Sequence, residues 1–168
     1  MEVLDPYDLI YRHLRNLNIM TDAFYILASI YAYIFYIKTS DTRMFVLFLL
    51  YLSAGVISIL HHQATHNNLF KYDILTAGIS ISYSIYVTTV SILDKKANML
   101  LYTLTFILLG CSFINYYYSQ KYNKFLKTYT DENSLNYKYY SIMKYLHHTL
   151  WHILSGLCAC TVPFAMNL

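Results

Sequence analysis

The sequence predicts an all-α fold, a polytopic transmembrane bundle of about five helices that is preceded by an N-terminal interfacial helix. Of its 168 residues, 57% are hydrophobic and only 12% are charged, about half of the roughly 25% found in soluble domains. The charges are segregated and leave five uncharged runs, four of which reach 20 residues. About 20 apolar residues cross the hydrocarbon core of a bilayer. The composition therefore excludes a soluble globular domain, a nucleic-acid-binding protein and a disordered chain.

The predicted elements follow from charge and apolar spacing along the chain. Residues 1–18 mix charge with apolar positions at helical spacing, which predicts an amphipathic helix at the membrane interface. The first span that follows carries Asp22 near its start. Lys, Asp, Asn and Ser in 119–141 predict a solvated loop before the last span. The five predicted spans are 19–37, 44–62, 73–93, 98–118 and 142–165. No repeat or low-complexity tract indicates a second domain, so residues 1–168 are expected to form a single membrane domain.

Ionisable side chains inside the predicted spans are the main candidates for function. Such groups are costly to bury in lipid and usually mark functional sites. They are concentrated in three places: at His61 and His62 in the second span, at Asp73 in the third, and at His148 and His152 in the fifth. Six of the seven histidines lie in or beside these segments. A functional site is therefore expected where these three helix ends meet.

Alternating helix direction predicts which helix ends meet. The end of the second span, the start of the third and the start of the fifth lie on one side of the membrane, called face A below. Residues four apart on a helix point the same way, which aligns Ser58 with His62 and His148 with His152. The sequence thus brings one serine, three histidines and Asp73 together at similar depth.

This residue set is typical of a catalytic zinc site. Three neutral imidazoles with one open position bind zinc and lower the pKa of a water molecule on the metal. Asp73 can accept the proton of that water, and Ser58 can hydrogen-bond the water or a developing oxyanion. His61 or His66 could replace His62 as a ligand, and with His147 they are otherwise expected to surround the ligands or to face solvent. The sequence contains no G-x-S-x-G, C-x-x-C or H-E-x-x-H motif and no glycine-rich phosphate loop.

The pattern of these residues resembles a known superfamily of membrane enzymes. Ser58-x-x-x-His62, then Asp73, then His148-x-x-x-His152 is similar to the signature of the CREST superfamily of membrane hydrolases. That superfamily includes alkaline ceramidases and the adiponectin and progestin receptors. The resemblance implies a zinc ion held by the three histidines, with the aspartate and the serine beside its bound water.

The local sequence is closer to the branch that contains myomaker and the GPI-processing phospholipases. The similar segments are 60–62, 72–75 and 145–152. Members of the superfamily have seven spans, whereas this chain has room for about five, and the loss of two spans keeps the histidine pair on face A. Asp5 and Asp8 are the only candidates for the N-terminal calcium site of ceramidases and lack its tryptophan. Ceramide is therefore not the expected substrate.

Four functional readings follow from the sequence. The first is a zinc-dependent hydrolase that cleaves an amide or ester of a membrane lipid. The second is a metal-stabilised but non-catalytic membrane protein, such as a membrane-remodelling or fusion factor like myomaker. The third is a haem protein with His62 and His148 as axial ligands, which the placement of the histidines on one face disfavours. In the fourth, the histidines only hydrogen-bond between helices. The sequence identifies neither the bond cleaved nor the oligomeric state.

The distribution of positive charge predicts the orientation in the membrane. Face A carries eight Lys and Arg residues and the opposite side, face B, carries four. The residues of face A are Arg12, Arg15, Lys71, Lys121, Lys124, Lys127, Lys138 and Lys144, and those of face B are Lys38, Arg43, Lys95 and Lys96. The positive-inside rule then places the N-terminus and the histidine site on the cytosolic side.

Overall fold

The computed structural model describes residues 6–63, 69–94, 98–132 and 134–166. Within these ranges the chain forms five α-helices and no β-strand, so the predicted all-α class is confirmed. The helices are α1 (Pro6–Thr39), α2 (Thr42–Gln63), α3 (Phe70–Leu93), α4 (Met99–Leu126) and α5 (Leu135–Ala165). They correspond in order to the five predicted spans.

Four of the helices contain stretches that are long and apolar enough to cross a membrane. The stretches are Asn16–Thr39, Thr42–Gln63, Lys71–Leu93 and Met99–Leu126. Large apolar side chains such as Leu75, Ile107 and Ile114 are exposed on the outside of the bundle, where lipid rather than water would be their solvent. These features are those of a multi-pass integral membrane protein. The helix α5 has 31 residues but is not among the four.

The helix α1 differs from its prediction because it is continuous. A separate interfacial helix over 1–18 was expected, but the described part of that segment, 6–18, is the beginning of α1. Proline is compatible with the first turn of a helix, and neither Gly nor Pro occurs between Tyr7 and Thr39. At 1.5 Å per residue α1 is about 51 Å long, more than the roughly 30 Å of the hydrocarbon core. Part of α1 therefore extends beyond the hydrocarbon.

The long loop predicted at 119–141 is also mostly helical. The helix α4 continues and α5 begins early, so that only 127–134 connect them. Aromatic rings pack between the two extensions, with the ring of Tyr140 centred 6.0 Å from Tyr122 and 5.3 Å from Phe125. Lysine and glutamine favour helix as well as solvent. The polar composition therefore marks the edge of the apolar region and not the end of the helix.

Two helices, α1 and α5, organise the packing of the bundle. The helix α1 packs against both α2 and α5, α4 packs against α5, and α3 packs mainly against α2 with a smaller contact to α5. A Cβ atom on Gly55 would lie 2.7 Å from Cδ1 of Ile26, and one on Gly156 would lie 2.5 Å from Cβ of Phe24. Ala28 is fully buried at the same seam. Small residues thus bring three backbones close together, as is common between membrane helices.

The helix directions place the expected ends on one face. The backbone N–H of Asn98 donates to the carbonyl of Ala165 at 2.8 Å, which joins the start of α4 to the end of α5. At the opposite ends of these two helices the rings of Tyr122 and Tyr140 are in contact. Since α5 runs antiparallel along the whole of α4, its first half is on the same side of the bundle as the end of α2 and the start of α3. The middle of α5, at His148 and His152, lies beside the end of α2.

Candidate metal centre

Three histidine side chains from two helices meet at face A. His62 lies at the end of α2, and His148 and His152 lie one turn apart on α5. Nε2 of His152 is 3.1 Å from Nε2 of His62 and 3.1 Å from Nε2 of His148. One ring nitrogen of each histidine lies within 4.8 Å of the other two. The structure therefore brings together the three histidines that the sequence analysis selected.

The spacing of these nitrogens fits a metal ion of the size of zinc. Zinc–nitrogen bonds of about 2.0–2.1 Å at a tetrahedral angle place two ligands about 3.4 Å apart. The two separations of 3.1 Å are close to that value and are also hydrogen-bonding distances, so that neighbouring imidazoles can hydrogen-bond to each other when no metal is bound. The three rings also cross at 77–78°, so that they do not stack on one another. Imidazole nitrogens suit zinc, copper, iron and nickel, and the three histidines could hold one such ion.

A carboxylate from α1 lies directly behind this cluster. Asp22 is fully buried, and its Oδ1 accepts a hydrogen bond from the hydroxyl of Ser58 at 3.0 Å. The same oxygen is 2.9 Å from Nδ1 of His152, although the ring N–H is not aligned for a hydrogen bond. The other oxygen, Oδ2, is 3.8 Å from Nε2 of His62 and has no hydrogen-bond partner among the described residues. Asp22 thus links α1 to both helices that carry the histidines.

Two hydrogen bonds between α1 and α5 hold Asp22 at this depth. One turn closer to face A, the hydroxyl of Thr149 donates to the side chain of Asn18. One turn deeper, the hydroxyl of Tyr25 donates to Ser155 at 2.7 Å. All four groups are buried, where hydrogen bonds are needed to offset the loss of water. The register of α1 against α5 is therefore determined on both sides of the aspartate.

The second carboxylate, Asp73, lies on the other side of Ser58. It is in the first turn of α3 and only 4% exposed. Its carboxylate is within side-chain hydrogen-bonding reach of Ser58, and the imidazoles of His61 and His152 lie close enough to interact with its charge. The predicted catalytic pair of an aspartate and a serine is therefore next to the histidine cluster.

The three remaining histidines of the predicted site have different positions. His61 is half-buried, and its ring centre lies 5.1 Å from that of His62. His147 lies against α4, where its Nδ1 is 2.9 Å from Oδ1 of Asn115 and its ring stacks on Tyr122. His66 falls outside the described residues. Of the alternatives to His62 left open by the sequence, His61 is therefore beside the cluster, while His62 itself contacts His148 and His152.

A small cavity lies one turn deeper in the bundle than the histidines. Tyr25 and Ser155 form part of its wall, and each follows a residue of the site, Asp22 or His152, by three positions. Side chains of α3 and α4 complete the wall, so the cavity lies beneath the seam between these helices. Its volume is about 20 Å³, which is room for a single water molecule. The enclosed space is too small for an acyl chain.

Asp22 is a residue of the site that was not expected from the sequence, where it stands out only as a charge near the start of the first span. The rule that selected the other residues, that ionisable side chains inside membrane spans mark functional sites, also applies to Asp22, because it is an ionisable group within a predicted span. A buried face formed by Asn18, Thr21 and Asp22, with Tyr25 one turn on, gives the same indication at helical spacing.

Comparisons of the chain with protein-family models, with curated proteins and with solved structures find no match. The function is therefore inferred from the chemistry and geometry of the residues at face A.

Proposed function

We propose that the protein is a multi-pass membrane hydrolase that binds zinc through His62, His148 and His152 and cleaves an amide or ester bond of a membrane lipid. The observation that carries this proposal is the close approach of three imidazole nitrogens, two pairs of them at 3.1 Å. Without a bound cation, three mutually close imidazoles and two buried carboxylates have a high desolvation cost. Zinc held by three imidazoles supplies activation of water at neutral pH.

Each neighbouring side chain has a specific role in this hydrolysis. Asp73 accepts the proton of the attacking water as its oxygen adds to the acyl carbon. When the C–N or C–O bond breaks, the same proton passes to the leaving amine or alcohol. Ser58 lies between the two carboxylates and orients the water by hydrogen bonding. The resemblance to the CREST superfamily gives the same assignment to Asp73 and Ser58.

We further propose that α5 is the fifth span. It contacts α4 from the start of one helix to the end of the other, and α4 is apolar enough to cross the membrane. Its polar residues are mostly turned inward, since Thr149, His152 and Ser155 are buried. A helix inside a bundle has less need of an apolar surface than one that faces lipid.

A membrane lipid is the substrate class that best suits the position of the site. His62 lies at the end of α2, which is long enough to cross a bilayer, and this places the cluster near the level of the lipid headgroups. His148 and His152 lie near the middle of α5 and meet His62 at that level. His62 and His148 are only partly buried. A headgroup or acyl linkage can therefore reach the metal from the interface, while the lipid chains remain in the bilayer.

A second candidate function is a membrane-remodelling or fusion factor in which the metal only stabilises the bundle. One observation favours it: the enclosed cavity below the site has a volume of about 20 Å³ and does not accommodate a lipid chain. In that case the zinc would connect α2 to α5 without turnover.

The proposal is tested by metal analysis and lipid turnover with the same purified protein. We expect about one zinc per chain in detergent-purified protein, and loss of that zinc in a His62→Ala, His148→Ala, His152→Ala triple variant. The matched control is His147→Ala, because His147 lies next to His148 on α5 but contacts Asn115. We expect the wild type, and not the triple variant, to hydrolyse an amide- or ester-linked lipid in reconstituted vesicles.

Two outcomes decide between the readings. Full zinc occupancy in the triple variant would exclude the proposed site. Zinc binding by the wild type without turnover of any membrane lipid class would favour the remodelling factor.

A further inference from the structure

We propose that Asp22 is the positioning residue of the metal centre, a role that rests on the proposed metal-binding function. Its carboxylate holds the ring of His152 so that Nε2 is directed towards the other two histidines, and it holds the hydroxyl of Ser58 in one orientation. No side chain outside α2, α3 and α5 was expected at the site from the sequence. The role assigned here makes α1 a part of that site.

The two nitrogens of His152 face different groups. Nδ1 is 2.9 Å from Oδ1 of Asp22, while Nε2 is 3.1 Å from the nearest nitrogens of His62 and His148. A histidine that binds a metal through one nitrogen commonly gives its other N–H to a carboxylate, which determines its tautomer and ring orientation. The two nitrogens of His152 face these two kinds of group, although its Nδ1–H is not aligned for a hydrogen bond in this structure. His152 is also the most buried of the three histidines. A proton on Nδ1 leaves the lone pair of Nε2 for the ion.

The same carboxylate oxygen determines the direction of the serine hydroxyl. Ser58 donates its single proton to Oδ1 of Asp22. Its oxygen is then left to accept from a donor other than Asp73, whose carboxylate competes for the same serine proton. A water between Ser58 and the histidines would donate one hydrogen to Ser58 and present its lone pair to the substrate. Asp22 therefore orients both a ligand and the group that receives the water.

Charge balance supports the same role. Asp22 is 0% exposed and Asp73 is 4% exposed, and burying two carboxylates this close together is costly without compensating positive charge. The groups that the structure shows within ion-pair distance of Asp22 are imidazoles, those of His62 and His152. A divalent cation among the histidines would balance both negative charges. Among the described residues Oδ2 of Asp22 has no hydrogen-bond partner, and it lies 3.8 Å from Nε2 of His62, a position suited to an electrostatic contact of this kind.

The test measures metal affinity and the coordination spectrum rather than activity. Wild type, Asp22→Asn and Tyr51→Phe are purified and loaded with Zn²⁺, or with Co²⁺ as a spectroscopic probe, and affinity is measured by competition with a chelator. We expect Asp22→Asn to bind either metal about 10–100-fold more weakly and to show an altered Co²⁺ visible spectrum. Tyr51→Phe is the matched control, since it removes a buried side-chain hydrogen bond between α2 and α3 that does not involve Asp22 or the histidines. It is expected to keep the wild-type affinity and spectrum.

A second measurement needs no variant and therefore does not depend on the folding of one. In zinc-loaded wild-type protein labelled with ¹⁵N-histidine, NMR is expected to show the ring proton of His152 on Nδ1. A proton on Nε2, or an Asp22→Asn variant with wild-type affinity and Co²⁺ spectrum, would overturn the positioning role while leaving the metal site intact. Absence of metal binding by the wild type would overturn this inference and the proposed function together.

Discussion

At the scale of single residues, the site is organised around Ser58, which lies between two buried carboxylates. One of them, Asp22, accepts the serine proton at 3.0 Å, and the other, Asp73, is at the start of α3 within reach of the same hydroxyl. A serine that donates to one carboxylate cannot donate to the second at the same time. The two aspartates are therefore not equivalent in this structure, because Asp22 accepts the serine proton and Asp73 is left to accept from another donor.

This difference between the two aspartates predicts separate effects of their variants on zinc binding and on lipid hydrolysis. We expect Asp73→Asn to retain zinc but to lower lipid hydrolysis by about 10²–10⁴-fold, because an amide keeps the shape but cannot accept a proton from water. Ser58→Ala is expected to reduce turnover less, since it removes an orienting contact and not the base. The measurement is zinc content together with turnover of lipid amides or esters.

His147→Ala is the control for Asp73→Asn and should leave both quantities unchanged. If Asp73→Asn loses zinc and the folded bundle together, and the wild type has no turnover, Asp73 has a structural role in a scaffold.

At the scale of the helices, the position of α1 depends on glycines of α2 and α5, which allow the helix to approach both of them closely. Gly156 lies against Phe24, and Gly55 lies against Ile26. These close approaches bring the polar face of α1 between the two helices that carry the histidines. The same helix contributes Asp22 and the flanking hydrogen bonds with α5. Helix packing and site geometry are therefore coupled through α1.

A methyl group at this contact should disturb the bundle. In Gly156→Ala the new Cβ would lie 2.5 Å from Cβ of Phe24, so α1 and α5 must move apart, and overpacking of this kind typically costs about 1–3 kcal/mol. We expect a lower midpoint of thermal unfolding in detergent and weaker zinc binding. Gly110→Ala is the matched control, because a Cβ at Gly110 meets nothing within 4 Å.

The control variant should be neutral or slightly stabilising, since alanine favours helix over glycine by about 1 kcal/mol. Equal melting temperatures for Gly156→Ala and the wild type would contradict the proposed coupling.

At the scale of the whole molecule, the antiparallel order of the helices decides which chemical groups share a face. The end of α2, the start of α3 and the middle of α5 bring the histidines and Asp73 together. The connection 127–134, between α4 and α5, lies on the same face, and the link between α1 and α2 lies on the other. If α5 spans the membrane as proposed, labels placed in these two connections report opposite sides.

The excess of positive charge on face A predicts that its connections are cytosolic. In a Cys111→Ser background, which removes the exposed cysteine, we expect Glu132→Cys to be protected from a membrane-impermeant thiol reagent in intact cells. Lys38→Cys is expected to react. Both side chains are exposed in the structure, so a difference in labelling reports sidedness. Labelling of Glu132→Cys from outside, with Lys38→Cys protected, would reverse the proposed orientation.

The amino-acid sequence by itself determined the helical class and the membrane-like apolar stretches, because uncharged runs of about 20 residues are typical of membrane-spanning helices. It also predicted that a histidine at the end of the second span meets His148 and His152, since alternating helix direction and a spacing of four residues need no knowledge of side-chain contacts. That His62 rather than His61 contacts the pair was decided by the tertiary structure. The sequence placed helix ends less well at 119–141, where polar residues continue the helix beyond the apolar region. Only the tertiary structure brought Asp22 to the site. The contacts of this residue with Ser58 and His152 join positions 36 and 130 residues away, and such contacts depend on the rotation of α1 about its axis and on the close approach allowed by Gly55 and Gly156.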